Sequence, residues 1–235
     1  MLHIVNPIPA ESIRLIVFDL DGTLIDSRTD LANAVNAMLV HYGRPRLPEA
    51  VIATYIGDGA GMLVRRALGD PDDENFVNEA LNAFLAYYRV HKLDHTYVYE
   101  GVFAALESLR TGPDGRERQM AVLSNKPVNP SRDICKALGL SPYFFQIYGG
   151  NSFHTKKPDP TGLNTLIEEA GVSPVETVMI GDSENDTLTA RNAGTWSIGC
   201  TFGLAPQTLT AIPPDITVDS PSDWTLAIEI EKMAR

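Results

Sequence analysis

Ile16-Val-Phe-Asp-Leu-Asp-Gly-Thr-Leu-Ile-Asp-Ser27 is the stretch that decides the fold. The apolar run from Ile13 to Phe18 stops abruptly at Asp19, as a strand buried on both faces does when it delivers polar side chains to a sheet rim. Asp21 follows two residues on, ahead of Gly22-Thr23, so two carboxylates share one short loop. Such a pair can supply a nucleophile with a general acid and base, or can jointly ligate a hard cation. A turn with solvated acids is the plainer alternative, and this motif alone does not choose among them.

Two further runs end the same way, Gln119 to Leu123 at Ser124 and Thr177 to Ile180 at Gly181-Asp182. Between them Val102, Ala105, Leu106 and Leu109 repeat at helical spacing, as do Leu163, Leu166, Ile167 and Ala170 before Gly171. A late strand is expected at Asp215-Ile-Thr-Val218, after Pro213-Pro214. The alternation predicts an α/β chain: a Rossmann-like parallel sheet with helices on both faces and a ligand site beyond the carboxyl ends of the strands.

Residues 28–95 break that pattern, because they show helical periodicity without a convincing strand. Leu31, Val35, Met38, Leu39 and Tyr42 form one stripe, and Phe76, Ala80, Phe84, Tyr87 and His91 another. Pro45 and Pro48 mark one turn and Gly57-Asp-Gly-Ala-Gly61 a second. The expectation is a small helical cap at 26–97 inserted into a core formed by 1–25 and 98–235, with hinges at Leu24 to Ser27 and Thr96 to Gly101. Thr111-Gly-Pro-Asp-Gly115 reads as a surface turn.

Composition narrows the function. The 235 residues are 44% hydrophobic and 21% charged, which is ordinary for a globular chain. A net charge of -11 argues against nucleic-acid partners and anionic membranes, whose binding draws on Lys and Arg. An acidic protein that handles a small phosphate must concentrate positive charge locally, through a metal ion, one or two lysines and helix N-termini. Cys135 and Cys200 lie 65 positions apart without metal-ligand spacing, neither is a good nucleophile candidate, and the N-terminus lacks a signal-like run. A cytoplasmic chain is therefore expected. His3, His41, His91, His95 and His154 lie outside the motifs and read as surface or cap residues.

The remaining motifs offer chemistry one by one. Ser124 and Asn125 present a hydroxyl, an amide and backbone N–H groups, all able to bind phosphoryl oxygens without adding charge. Lys157 lies in Lys156-Lys-Pro-Asp-Pro160, where Pro158 favours an extended backbone that presents one ammonium; two solvated lysines are the alternative. Gly181-Asp-Ser-Glu-Asn-Asp186 sets Asp182 and Asp186 at a strand-to-helix junction, suited to one metal ligand and one supporting acid, or to ordinary helix capping.

Taken jointly, Asp19, Ser124, Lys157 and Asp182 follow one another at separations of 105, 33 and 25. In that order the four segments closely resemble the motifs of the haloacid dehalogenase-like hydrolases, from about residue 13 to 230. The wording of Asp21-Gly-Thr-Leu-Ile-Asp-Ser27, Ile56-Gly-Asp-Gly-Ala60 with Arg66-Ala-Leu68, Ser124-Asn-Lys-Pro127, and Gly181 to Asp186 with Asn192-Ala-Gly194 is similar to the phosphoglycolate phosphatase branch.

The resemblance implies that Asp19 is the nucleophile and that Asp19, the Asp21 backbone carbonyl and Asp182 ligate Mg²⁺. It implies that Asp21 protonates the leaving alkoxide and then activates water, whereas a dehalogenase expelling halide needs no such acid. Ser124, Asn125 and Lys157 would bind the phosphoryl group, and Asp186 would orient Lys157 or a metal-bound water. The substrate would be a small phosphorylated metabolite, 2-phosphoglycolate first, read by a cap in which Gly59, Arg65 and Arg66 are the candidates. Ala60 and Gly61 are small where related hexose-phosphate mutases carry a basic residue, and Lys92 is the only cap lysine, far from the loop where phosphonate-cleaving relatives need one. The chain departs from the pattern in having Ser124 where threonine is common, a longer turn at 111–116 and about a dozen residues before the first strand. A broader sugar-phosphate or nucleotide phosphatase is the alternative, and a non-catalytic binding protein the different-class one.

Overall fold

The computed structural model describes residues 2–229. Its strands are β1 (His3–Ile4), β2 (Leu15–Phe18), β3 (Ile25–Asp26), β4 (Tyr97–Val98), β5 (Gln119–Leu123), β6 (Gln146–Tyr148), β7 (Thr177–Gly181), β8 (Trp196–Cys200) and β9 (Ile216–Val218). Seven of them form one sheet in the order β1-β9-β8-β7-β2-β5-β6, parallel except at β1. All four residues of β2 are buried, and it lies between β5 and β7 at the centre of the sheet. A strand covered on both faces has no polar side to alternate with, hence its unbroken apolar run.

Successive side chains of β2 still point to opposite faces. Ile16 and Phe18 join Met120, Val122, Val178 and Ile180 in one cluster, shared with α5 (Val102–Leu109) and α9 (Asp223–Glu229). Leu15 and Val17 join Ala121, Leu123 and Met179 in another, covered by α7 (Thr161–Ala170) and α8 (Glu184–Ala193). The Phe18 ring lies 5.3 Å from that of Trp224 and 6.0 Å from that of Phe144. α6 (Val128–Ala137) contributes Ile134 and Cys135 to the same side.

Between β3 and β4 the chain forms α1 (Arg28–His41), α2 (Glu49–Ala53), α3 (Ala60–Ala67) and α4 (Glu74–His91), which share a hydrophobic cluster separate from the two on the sheet. Leu31, Val35, Met38 and Leu39 of α1 are buried in it. The α4 stripe differs from the sequence expectation by one position: Val77, Ala80, Phe84 and Tyr88 are buried, while Phe76 and Tyr87 flank the contact. Tyr87 instead stacks on His91, at 4.3 Å between rings. Both stripes have helical spacing, and only the packing of α1 and α3 against α4 selects between them. A second difference is β1, since the leading dozen residues carried no strand signal. Its two residues pair antiparallel with β9, and Asn6 Nδ2 donates to Asp215 Oδ1 at 2.9 Å.

β3 and β4 pair antiparallel where the chain leaves and re-enters the sheet domain. Beside them Asp30 anchors the first turn of α1 to the returning segment. It accepts from Thr96 N at 2.8 Å, Thr96 Oγ1 at 2.7 Å and His95 N at 3.0 Å, with His95 Nδ1 2.9 Å away. Burial pushes this carboxyl up, but the hydrogen bonds from Thr96 and His95 outweigh it and hold it below the usual carboxylate value.

A carboxyl depressed in the folded state contributes stability that is present above its unfolded value and lost as pH falls through the folded one. Asp30→Asn is therefore expected to cost at least about 2 kcal/mol at neutral pH, because buried donors lose an ionised acceptor. Urea unfolding of both proteins checks this: the difference should narrow below the unfolded value of 3.8, and a difference that stays constant with pH contradicts the role assigned to Asp30.

Candidate active site

Phe18, the last residue of β2, is in register with Val122 of β5 and Ile180 of β7, so Asp19, Ser124 and Asp182 emerge at one rim. Asp19 N donates to Ile180 O at 2.8 Å, continuing the ladder one residue past the strand. The chain then turns tightly, with Leu20 O accepting from the backbone N–H groups of Thr23, Leu24 and Ile25. Gly22 adopts φ +86°, and a Cβ there would overlap the Asp182 carboxylate, so both the turn and the close approach require glycine.

Asp19, Asp182 and Asp186 are buried, with one carboxylate oxygen of each within 4.8 Å of the others. Lys157 Nζ lies 2.8 Å from Asp19 Oδ1 and donates to Asp186 Oδ1 at 2.6 Å. The other oxygen of Asp186 accepts from Ser183 N at 3.1 Å and Ser183 Oγ at 2.7 Å. Helix capping and site chemistry, alternatives in the sequence, are here one arrangement: Asp186 caps α8 through Ser183 and holds Lys157 with its free edge. Asp182 Oδ2 accepts from Leu204 N at 2.5 Å and Ala205 N at 3.0 Å. That supporting loop follows β8 and carries no motif that would have marked it.

Burial pushes Asp19 up to about 6, against the pull of Lys157 beside it and with a further push from Asp186. Burial and the charges of Asp186 and Asp19 push Asp182 well above the usual carboxylate value. On Lys157 burial opposes the charge, but Asp186 and Asp19 more than offset it and hold the ammonium above the ordinary lysine value. Three carboxylates face one ammonium, so full ionisation would leave two negative charges in a buried site, and burial together with that repulsion is what pushes Asp19 and Asp182 up. Three close oxygens of hard character with uncompensated charge fit a divalent cation.

Asp21 belongs to a second cluster. Lys126 Nζ donates to both of its oxygens at 2.9 Å, and Ser27 Oγ donates to Oδ1 at 2.5 Å. Lys126 is buried, and although burial opposes its charge, Asp21 more than offsets this and holds its pKa above the usual value. Nothing in Ser124-Asn-Lys-Pro127 marks Lys126 for this role. Its partner lies 105 positions away, which no local pattern reveals.

Ser124 Oγ faces the same rim and accepts from Lys126 N at 3.3 Å. The side chain of Asn125 does not suit phosphate. Its Nδ2 donates to Gly57 O and Lys157 O, both at 3.0 Å, so both amide hydrogens are engaged and its free oxygen would oppose phosphate oxygens. It ties the loop before α3 to the Lys157 loop. Gly59 does line the cavity, packed so that a Cβ would press on Asn125 O. Arg65 and Arg66 do not. Arg65 pairs with Glu74 at 2.5 Å and Asp70 at 3.6 Å, and Arg66 with Asp58 at 2.5 Å. Both are engaged by acidic partners of the same helical unit. Asp58 is in turn held by Asn185 Nδ2 at 2.8 Å and by Lys156, which donates to its carbonyl.

The resulting cavity, about 50 Å³, lies between the rim and the helical unit and has room for only a few water molecules. Asp19, Asp21, Ser124 and Lys126 face Leu31, Ile56, Phe84 and Tyr88 across it. Both cysteines are free and buried, and burial pushes the Cys135 thiol up to about 12 and that of Cys200 well above its usual value, so neither is an activated nucleophile.

Comparison with known proteins matches residues 16–200 to the family described as haloacid dehalogenase-like hydrolase. A phosphoglycolate phosphatase of Neisseria meningitidis is 39% identical over 203 residues, covering 85% of each chain. One from Vibrio vulnificus is 37% identical over 219 residues, covering 89% of this chain and 93% of its own. Among solved structures, that of a predicted phosphoglycolate phosphatase from Haemophilus somnus superposes with a TM-score of 0.82 at 30% identity, covering 95% of this chain and 99% of the other.

The position of Asn125 makes a prediction independent of any relative. Asn125→Asp sets an acceptor against the Gly57 and Lys157 carbonyls, removing two hydrogen bonds at about 1–3 kcal/mol for each carbonyl left unpaired. Thermal unfolding without phosphate should show Tm lower by at least about 4 °C, taking about 2–4 °C per kcal/mol for a chain of this size. An unchanged Tm would remove the loop-tying role.

Proposed function

The chain belongs to the haloacid dehalogenase-like hydrolases, and from that membership we propose a Mg²⁺-dependent phosphatase that hydrolyses a small phosphate monoester, 2-phosphoglycolate first, through an aspartyl-phosphate on Asp19. The observation that carries this reading is the buried convergence of Asp19, Asp182, Asp186 and Lys157, with Asp21 lining the same cavity as Asp19. Asp19 and Asp182, with the Asp21 backbone carbonyl, would hold the cation. Mg²⁺ bound there supplies the positive charge that lets carboxylates approach a phosphate dianion.

Asp19 attacks phosphorus in line with the ester oxygen, forming the acyl-phosphate bond as the P–O ester bond breaks. Asp21, oriented by Ser27 and Lys126, gives its proton to the departing alkoxide. In the second half Asp21 takes a proton from water as that water attacks phosphorus, which releases inorganic phosphate and restores Asp19. General acid-base assistance of this kind contributes roughly 10² to 10⁴ in rate. Lys157 neutralises Asp19 and the transferring oxygens, and Asp186 keeps its ammonium aimed. A halide leaving group would make Asp21 superfluous; an alkoxide needs it.

The helical unit at 26–97 acts in this reading as a cap that excludes water, with β3 and β4 as its connection to the core. The small cavity favours a short substrate over a hexose phosphate or a nucleotide. The two free cysteines support a cytoplasmic setting for the reaction, since unpaired thiols are usual there. No helix among the described residues is long and apolar enough to cross a membrane.

Asp19→Asn should abolish turnover while leaving the unfolding transition in place; full residual activity would end the nucleophile assignment. Mg²⁺ should raise the Tm of the wild type in proportion to RT ln(1 + [Mg²⁺]/Kd) and that of Asp182→Asn much less. An equal rise in both would move the cation elsewhere. In a panel of phosphate esters, a sugar phosphate exceeding 2-phosphoglycolate tenfold in kcat/KM, about 1.4 kcal/mol, would replace the substrate.

A further inference from the structure

Lys126 is the only cation among the residues that line the cavity, and nothing in the catalytic steps uses more than part of it. Its ammonium has three hydrogens, and the two oxygens of Asp21 account for two. Tyr88 of α4 is buried on the cavity wall; its hydroxyl makes no well-formed hydrogen bond, the Lys126 ammonium being its charged neighbour there, and its proton is free to be donated. The Lys126 ammonium lies 4.9 Å from the centre of the Tyr88 ring. Burial pushes the phenol up to about 12, so it stays a donor at any physiological pH. A buried hydroxyl without a partner is unfavourable, so a ligand oxygen that accepts its proton is favoured there.

We propose that Lys126 and Tyr88 together form the receptor for a carboxylate on the substrate's leaving group, and so select a short phosphorylated acid over neutral esters of the same length. The proposal rests on the reading of the chain as a 2-phosphoglycolate phosphatase. The phosphoryl end belongs beside Asp19, Ser124 and Lys157, and the ester oxygen beside Asp21. In 2-phosphoglycolate one methylene separates that oxygen from the carboxylate, and Lys126 is the residue that grips Asp21. One carboxylate oxygen can take the remaining ammonium hydrogen and the other the phenol. The rest of the wall, Leu31, Ile56 and Phe84, offers a neutral chain no polar contact but also leaves both donors unmet. Because Lys126 comes from the sheet domain and Tyr88 from α4, the receptor is complete only when the helical unit is seated on the rim. Arg65 and Arg66, held by their own acids, are not needed for it.

The experiment compares kcat/KM for 2-phosphoglycolate and for ethyl phosphate, which has the same length without the carboxylate, in the wild type, Lys126→Met and Tyr88→Phe. The wild type should prefer 2-phosphoglycolate, and each variant should lower that preference at least tenfold. The ratio between substrates separates recognition from a role in merely positioning Asp21, which would depress both substrates alike and leave the ratio intact. A wild-type preference that falls less than tenfold in the variants overturns the receptor while sparing the phosphatase reading. A wild type active on phosphate esters but indifferent to the carboxylate overturns the substrate and the receptor with it. Tyr88→Phe removes only an unpaired oxygen and should fold at least as well as the wild type, so it decides alone if Lys126→Met does not fold.

Discussion

A lysine buried between two carboxylates organises this molecule. Lys157 reaches Asp19 and Asp186 at once, and each of these is fixed by something else: Asp19 by the end of the central strand, Asp186 by its cap on α8. The desolvation of so much charge is opposed by attraction inside a poorly screened site, and it is tolerable only with tight geometry and further hydrogen bonds. With all three carboxylates ionised, Lys157 offsets only one of them. The charge left over suits the rim to a divalent cation rather than to packing alone.

The sheet supplies the tolerance that this arrangement needs. Parallel pairing of β2 with both β5 and β7 places three strand ends side by side, so side chains far apart in the chain meet without a long loop having to order itself. Core packing of Phe18 against Trp224 and Phe144 holds the middle strand in register beneath them. Glycine at position 22 then lets the Asp19 to Asp21 loop fold down on Asp182, where any side chain would collide. A second charge pair, Asp21 with Lys126, stands apart from the pair that Asp19 makes with Lys157. Two carboxylates two residues apart thereby have different partners.

The helical unit is joined to this rim by small polar devices. Asp30 gathers the returning segment, Asn125 and Asn185 hold the loop at Gly57 and Asp58, and Lys156 reaches the same loop from the core.

Much of this was legible in the sequence. The strand run before Asp19, the helical stripes, and the order Asp19, Ser124, Lys157, Asp182 are local patterns, and strand ends in a parallel sheet share a rim, so fold and main site followed from them. Contacts between side chains from remote segments were not legible. A lysine in Ser124-Asn-Lys-Pro127 looks the same whether it faces solvent or Asp21, and α4 shows two helical stripes one residue apart until α1 and α3 press on one of them. Arg65 and Arg66 looked available because nothing in the sequence pairs them with Glu74 and Asp58. Spacing along the chain specifies which residues reach the rim, because backbone periodicity is local; which charge each one faces is decided only by packing, because electrostatic partners are chosen in three dimensions.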